Sequence, residues 1–306
     1  MSPLLLTNFA EILWSGRIFC YNFIDMKILL PSDFLEEHRQ IVLEYIRRGH
    51  EFKREDWRLA IVAFDLLKDA TVLAPTGLLP FPVVYRQQVE ARYADAFIQQ
   101  LYEATQIEKV STALWANVAG RIAFDLAQAG LYRRDVPATR LLVAYCLYWW
   151  RSFTLGYALE IEIQRDLAES GIQFSAHDLR QRRERLSPYD LSVLGFKGDI
   201  KTSLYFLQAA RSRLLAHDFY ITKVHSRTRI STLVVFMQAA MWETIDGETL
   251  LVLLSEIADT LPQAMRIIHQ NVELTVIDYE IWKEKVQRHQ AFLVCDRKVV
   301  DKKGEE

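Results

Sequence analysis

Residues 141–159, LLVAYCLYWWRSFTLGYAL, constrain this chain more than any other segment. The run approaches the roughly 20 apolar residues that a helix needs to cross a bilayer. Arg151 stands near its middle, however, where a charge costs roughly 2.5–3.5 kcal/mol, and Glu160 and Glu162 follow at once. The segment therefore reads as a buried core helix over 141–163, not a membrane span, and such a helix needs apolar surface wrapped around it. The chain has the material: 306 residues, 51% apolar and 25% charged, an ordinary globular composition and enough length for one large domain or two modest ones.

Helix signals recur on both sides of that run. SDFLEEHRQIVLEYIRRGH opens with Ser32 or Asp33 as a cap, places acids in its first turn and ends on Arg47, Arg48 and Gly49, as the helix dipole favours. REDWRLAIVAFDLLKDA repeats apolar residues at helical period. Pro75, Gly77, Pro80 and Pro82 mark 71–82 as a loop, and further helices are expected from about Val83 to Thr105 and from near Ser111 to Gly130. SAHDLRQRRERL reads as a short basic helix capped by Ser175, with Asp178 at the capping-box position. Pro188, Gly195 and Gly198 make 188–198 a break, after which Asp199 is placed to cap the next helix. YITKVHSRTRI reads as an irregular or extended connector, STLVVFMQAAMWETI and ETLLVLLSEIADTL as helices, and Pro262 as the start of a last helix to about His289.

No run alternates as a strand should, and no repeat is visible. The expectation is an all-α, multi-helix bundle of roughly nine to eleven helices, as one compact unit or two tightly packed lobes. Residues 1–26 read as an N-terminal extension, with Met26 an alternative start. Residues 27–292 read as a single helical unit with a soft division near 170–190, and 293–306 as a charged tail.

The formal charge is −2, so no global attraction to nucleic acid or an anionic membrane is implied and any such binding needs a local patch. Cys20, Cys146 and Cys295 are far apart, which argues against a disulfide framework or structural zinc and for a reducing, cytoplasmic setting. No charged n-region precedes PLLL, and Asn8, Glu11 and Arg17 interrupt the first apolar run, so it does not read as a signal peptide. GxGxxG, GxxxxGK[ST], GxSxG, HExxH and Glu-x-x-His patterns are all missing from the sequence, which removes the commonest phosphate loops, the serine-hydrolase elbow, zincins and di-iron bundles. No cofactor and no dedicated metal set is expected.

Three features carry chemistry. Arg180, Arg182, Arg183 and Arg185 form the densest charge run; they suit phosphate contact with RNA, or a solvated face with Glu184 pairing internally. His177-Asp178 and His217-Asp218 are adjacent His-Asp pairs of the kind that helical metal phosphohydrolases use, though helix capping already explains Asp178. The third is AARSRLLAHDF, 209–219. Leu204, Leu207, Ala210, Leu214 and Leu215 form an apolar stripe with Arg211, Arg213 and His217 beside it, and Arg213 and His217 share a face. Imidazole moves protons near neutral pH, and guanidinium holds a phosphate and stabilises developing charge. Basic residues in a last helical turn equally serve the helix dipole.

Arg211, Ser212, Arg213, Ala216 and His217 resemble the R-[polar]-[basic]-x-x-A-H signature of the HEPN superfamily of helical ribonucleases, found among abortive-infection and toxin proteins. The resemblance covers about ten residues and the helix bearing them. It implies a metal-independent endoribonuclease or RNA-binding relative in phage defence or a toxin–antitoxin pair, with Arg211 and His217 catalytic and Ser212 and Arg213 contacting RNA. It also implies a homodimer in which two motifs face each other, and a possible antitoxin or other protein partner. Ser212 stands where Asn or Asp is usual. Two other readings remain beside it: a non-catalytic all-α interaction or scaffold protein, and a metal phosphohydrolase built on His217-Asp218.

Overall fold

Where a segment has one wet face, helical period and helical structure coincide. The computed structural model describes residues 27–74, 76–204, 217–237, 247–260, 264–269 and 272–290. Helix α1 (Glu36–Arg48) carries Glu36 and Glu37 in its first turn and Arg47 and Arg48 in its last. It starts after Leu35, whose N–H donates to His38 Nδ1 at 3.0 Å, and not at Ser32 or Asp33. Helix α2 (Arg54–Leu66) is closed in the same way by Asp56, which accepts the Lys53 N–H at 3.1 Å. Two compact units divide the chain at Leu155/Gly156.

The first unit adds a three-stranded antiparallel sheet, β1 (Lys27–Leu29), β2 (Thr71–Ala74) and β3 (Gly77–Pro80), in that order. Pro80 and Pro82, two of the residues that suggested a loop over 71–82, sit where a hairpin tolerates them. Pro80 ends an edge strand, and Pro82 lies in the first turn of α3 (Phe81–Tyr85), where its missing N–H costs nothing. A π-helical turn, Arg86–Glu90, leads into α4 (Ala91–Glu103), followed by α5 (Ile107–Gln128). The long α6 (Thr139–Glu169) begins here. Its residues 141–147 are buried, and Trp150 is fully so. Tyr45 packs edge-on against Phe52, Trp57, Phe64 and Tyr148, and Phe64 stacks on Tyr148 with centroids 4.1 Å apart. Arg151 is accommodated by aromatic partners: its guanidinium lies 5.6 Å over the Trp57 ring and donates to the Tyr45 hydroxyl.

The second unit is built on a seven-stranded sheet in the order β4-β5-β6-β7-β8-β10-β9. Its strands are β4 (Phe174–Ala176), β5 (Leu191–Val193), β6 (Phe196–Lys201), β7 (Phe219–His225), β8 (Ile230–Met237), β9 (Ala264–His269) and β10 (Val272–Asp278). All neighbours are antiparallel except β6 and β7. One face of the sheet (Val193, Ile200, Phe219, Val234) packs on Leu159, Ile163 and Leu167 of α6 and on Trp282 and Val286 of α8, residues 279–290. The opposite face (Val224, Leu233, Val235, Val276) packs on Leu250, Leu254 and Ile257 of α7 (Gly247–Thr260). The unit is thus a helix–sheet–helix sandwich.

This overturns the all-α helical bundle: ten strands in two sheets stand among the described residues, and the fold is mixed α/β. The physical reason is burial on both faces. Ser231 to Met237 of β8 show no polar–apolar alternation because helices cover the strand on each side, and such a run looks like a buried helix. Within the expected last helix, Ala264–His269 and Val272–Asp278 are instead the paired strands β9 and β10, and 279–290 is helical. SAHDLRQRRERL is not a helix either; β4 runs into turns and a single 3-10 turn, Glu184–Leu186. The expected break at 188–198 is the β5–β6 hairpin, and Asp199 lies inside β6 rather than at a helix cap. Residues 1–26, 205–216 and 291–306 lie outside the described residues.

Candidate active site

Strand alternation places Asp199 and Lys201 on the same side of β6. The β5–β6 pairing brings Asp190, the residue before β5, beside them. Its N–H donates to Gly198 O at 3.0 Å, and its carboxylate accepts the Ile200 N–H at 2.6 Å. Gly198 is required at this crossing, since a Cβ there would lie 2.3 Å from the Phe219 ring. The parallel pairing of β6 with β7 sets Asp199 opposite Tyr220. Lys201 Nζ lies 2.8 Å from Asp199. His217, just before β7, has Nε2 3.7 Å from Asp199 Oδ2 and its ring edge-on to Tyr220. Its backbone N–H donates to the Tyr220 hydroxyl at 3.4 Å. Helix α6 contributes Glu160, buried to 7% exposure, whose carboxylate accepts from Gln164 at 3.3 Å.

The electrostatics of this group are unfavourable to the fold. Burial raises the Asp190 carboxyl well above the ordinary carboxylate range, and a hydrogen bond with the Asp199 carboxyl and the charges of Glu160 and Asp199 raise it further. Two carboxyls can share a hydrogen bond only if one holds a proton. Glu160 is likewise raised, first by burial and then by Asp199, with Lys201 opposing. Burial, and to a lesser degree Asp199, also keeps the Tyr220 phenol protonated. A set of desolvated like charges next to an ammonium and an imidazole is the pattern expected of a functional site.

Of the residues singled out from sequence, His217 alone joins this group; Arg211, Ser212 and Arg213 lie outside the described residues. Asp218 is engaged elsewhere, its carboxylate accepting the Lys197 N–H at 2.8 Å while its own N–H donates to Lys197 O at 2.9 Å. His177 contacts Ser187 Oγ at 2.5 Å, and Asp178 pairs with Arg180 at 2.9 Å, which lowers its carboxyl. Arg185 donates to Leu179 O at 2.5 Å and so ties its own turn together. Arg182 and Arg183 are exposed.

Sequence reasoning missed Glu160, Asp190, Asp199 and Lys201. The available signal was weak: Asp199 and Lys201 flank Ile200 at strand spacing inside an otherwise ordinary segment, and Glu160 ends the apolar run of α6. Among the described residues, no three His, Cys, Asp or Glu side chains form a ready-made metal cage. No family model, curated protein or solved structure matches the chain.

Proposed function

We propose that the second unit hydrolyses phosphodiester bonds of nucleic acid with a divalent cation of the magnesium type, held by Asp190 and Asp199. The reading rests on one observation: the half-buried Asp190 carboxyl is set against the buried Asp199, with buried Glu160 close by and Lys201 2.8 Å from Asp199, and burial with these like charges raises the Asp190 carboxyl. Carboxyls set against each other in the fold are relieved by a cation, which would displace the proton that the raised Asp190 carboxyl holds. A preformed cage is not needed. Mg²⁺ keeps several waters and takes only one or two carboxylates, with substrate phosphate completing its shell. When bound, such an ion supplies an activated water and neutralises phosphate charge. Lys201 is placed to hold a phosphate oxygen against Asp199, and Glu160 to accept a proton from water. His217 is placed to deliver a proton to the leaving oxygen as the P–O bond breaks. Arg182 and Arg183 supply backbone contacts. Cleavage of RNA or DNA that requires Mg²⁺, stops in EDTA and is lost in Asp190→Asn and Lys201→Ala supports this reading.

A second reading is kept by the position of His217 in the same group: a metal-independent ribonuclease using Arg211 and His217, as the HEPN resemblance implies. The same assay separates the two. RNA cleavage that survives EDTA and is lost in His217→Ala favours the second, and no cleavage of either nucleic acid leaves the scaffold reading.

A further inference from the structure

The β5–β6 hairpin turns on two residues, Leu194 and Gly195, between the paired Val193 and Phe196. Both have positive φ, 54° and 84°, which marks a type I′ turn. Asn, Asp or Gly would suit the first position; a leucine there is strained. Leu194 is the only positive-φ residue other than glycine among the described residues. It is 38% exposed and Phe196 is 52% exposed. The chain therefore holds a partly exposed apolar side chain at a hairpin tip at a conformational cost, where turn geometry favours Asn, Asp or Gly.

What surrounds the tip indicates what it meets. Lys197 lies on the same hairpin with Nζ 5.1 Å over the Tyr189 ring. Tyr189 packs on His177, which holds the turn carrying the exposed Arg182 and Arg183 through Ser187 and Glu184. Cations thus flank a tip of two apolar side chains. Two side chains fall far short of the roughly 800 Å² per partner that a stable protein interface buries. A polyanion with an apolar stack inside it fits both features. Leu194 lies four positions along the chain from Asp190, about 13 Å in a strand, which is within one duplex width of the carboxyls.

We propose that Leu194 and Phe196 form a wedge that enters the base stack of a duplex nucleic acid whose scissile phosphate lies at Asp190 and Asp199. The wedge rests on the phosphodiesterase reading above. It makes base-pair unstacking part of substrate recognition, as apolar wedges in minor-groove proteins do.

The test uses the full chain carrying Asp199→Asn to silence cleavage, and a short DNA duplex with 2-aminopurine, whose fluorescence rises on unstacking. Binding should raise the fluorescence. Leu194→Asn combined with Phe196→Ser should abolish the rise and weaken binding about tenfold, while the thermal midpoint holds or rises by a few degrees because Asn accepts the left-handed turn. An unchanged rise in the doubly substituted protein, or binding without any rise, overturns the wedge. Hydrolysis of bis(p-nitrophenyl) phosphate by the unsubstituted chain with Mg²⁺ separates the two levels. If that diester is hydrolysed but the duplex is not bound, the wedge fails and the metal-site reading stands. If neither occurs, both fail.

Discussion

The carboxyl of Asp190 is hydrogen-bonded to the carboxyl of Asp199 across the β5–β6 hairpin, where Asp190 also accepts the Ile200 N–H. The pair works against folding at neutral pH. A folded-state value raised above the unfolded one means that the folded protein binds the extra proton, so stability is full below the ordinary carboxylate range, near 4, and falls as pH rises through the folded value. Asp190→Asn, which keeps an acceptor for the Ile200 N–H, should raise stability at neutral and alkaline pH by about 1–3 kcal/mol. It should also flatten the decline of the thermal midpoint with pH while abolishing cleavage. A midpoint that rises with pH in the unsubstituted protein would contradict this arrangement.

Divalent cation should stabilise the protein in the opposite pH sense. Mg²⁺ or Mn²⁺ competes with the proton on Asp190, so the midpoint should rise by several degrees at alkaline pH and much less near pH 5. Asp199→Asn should remove the effect. Differential scanning fluorimetry across a metal titration at two pH values measures it.

Leu194→Gly should add about 1 kcal/mol to stability by relieving the left-handed backbone of the turn. Leu194→Val, β-branched in the same conformation, should lose at least as much. Urea denaturation of both variants checks this through the order of their midpoints.

Gly198→Ala should cost about 1–3 kcal/mol or more, because its Cβ would lie 2.3 Å from the Phe219 ring, which is itself packed among Phe236 and Trp282. Combination with Phe219→Leu should recover part of that loss relative to the sum of the single changes.

The arginine run should separate into two behaviours. Arg182→Ala with Arg183→Ala should leave the midpoint unchanged and reduce the salt dependence of nucleic-acid binding, by about 0.9 in the log–log slope for each phosphate no longer neutralised. Arg185→Ala should lower the midpoint instead, since its guanidinium closes the 179–186 turn.

Sequence alone determined the elements whose faces differ. Helices α1, α2, α4, α5 and α7 and the long α6 each have a polar side and an apolar side, or marked ends, and that contrast is written at helical period. It also argued against a membrane span at 141–159, and among the described residues no helix is long and apolar enough to cross a membrane. Sequence could not determine the seven-stranded sheet. Strand β8 is covered on both faces, so its alternation is erased and the helical reading looked equally good, while the alternation of Val272 to Val276 in β10 is short enough to be taken into the helix expected after Pro262. Nor could it determine the candidate site. Glu160 lies in the apolar run of a helix, Asp190 before a hairpin strand, Asp199 and Lys201 inside the next, and His217 beyond a crossover. Their chemistry exists only once β6 pairs with Asp190 on one side and with β7 on the other. Each of these side chains is ordinary in its own segment, and only tertiary burial turns them into a strained group of like charges.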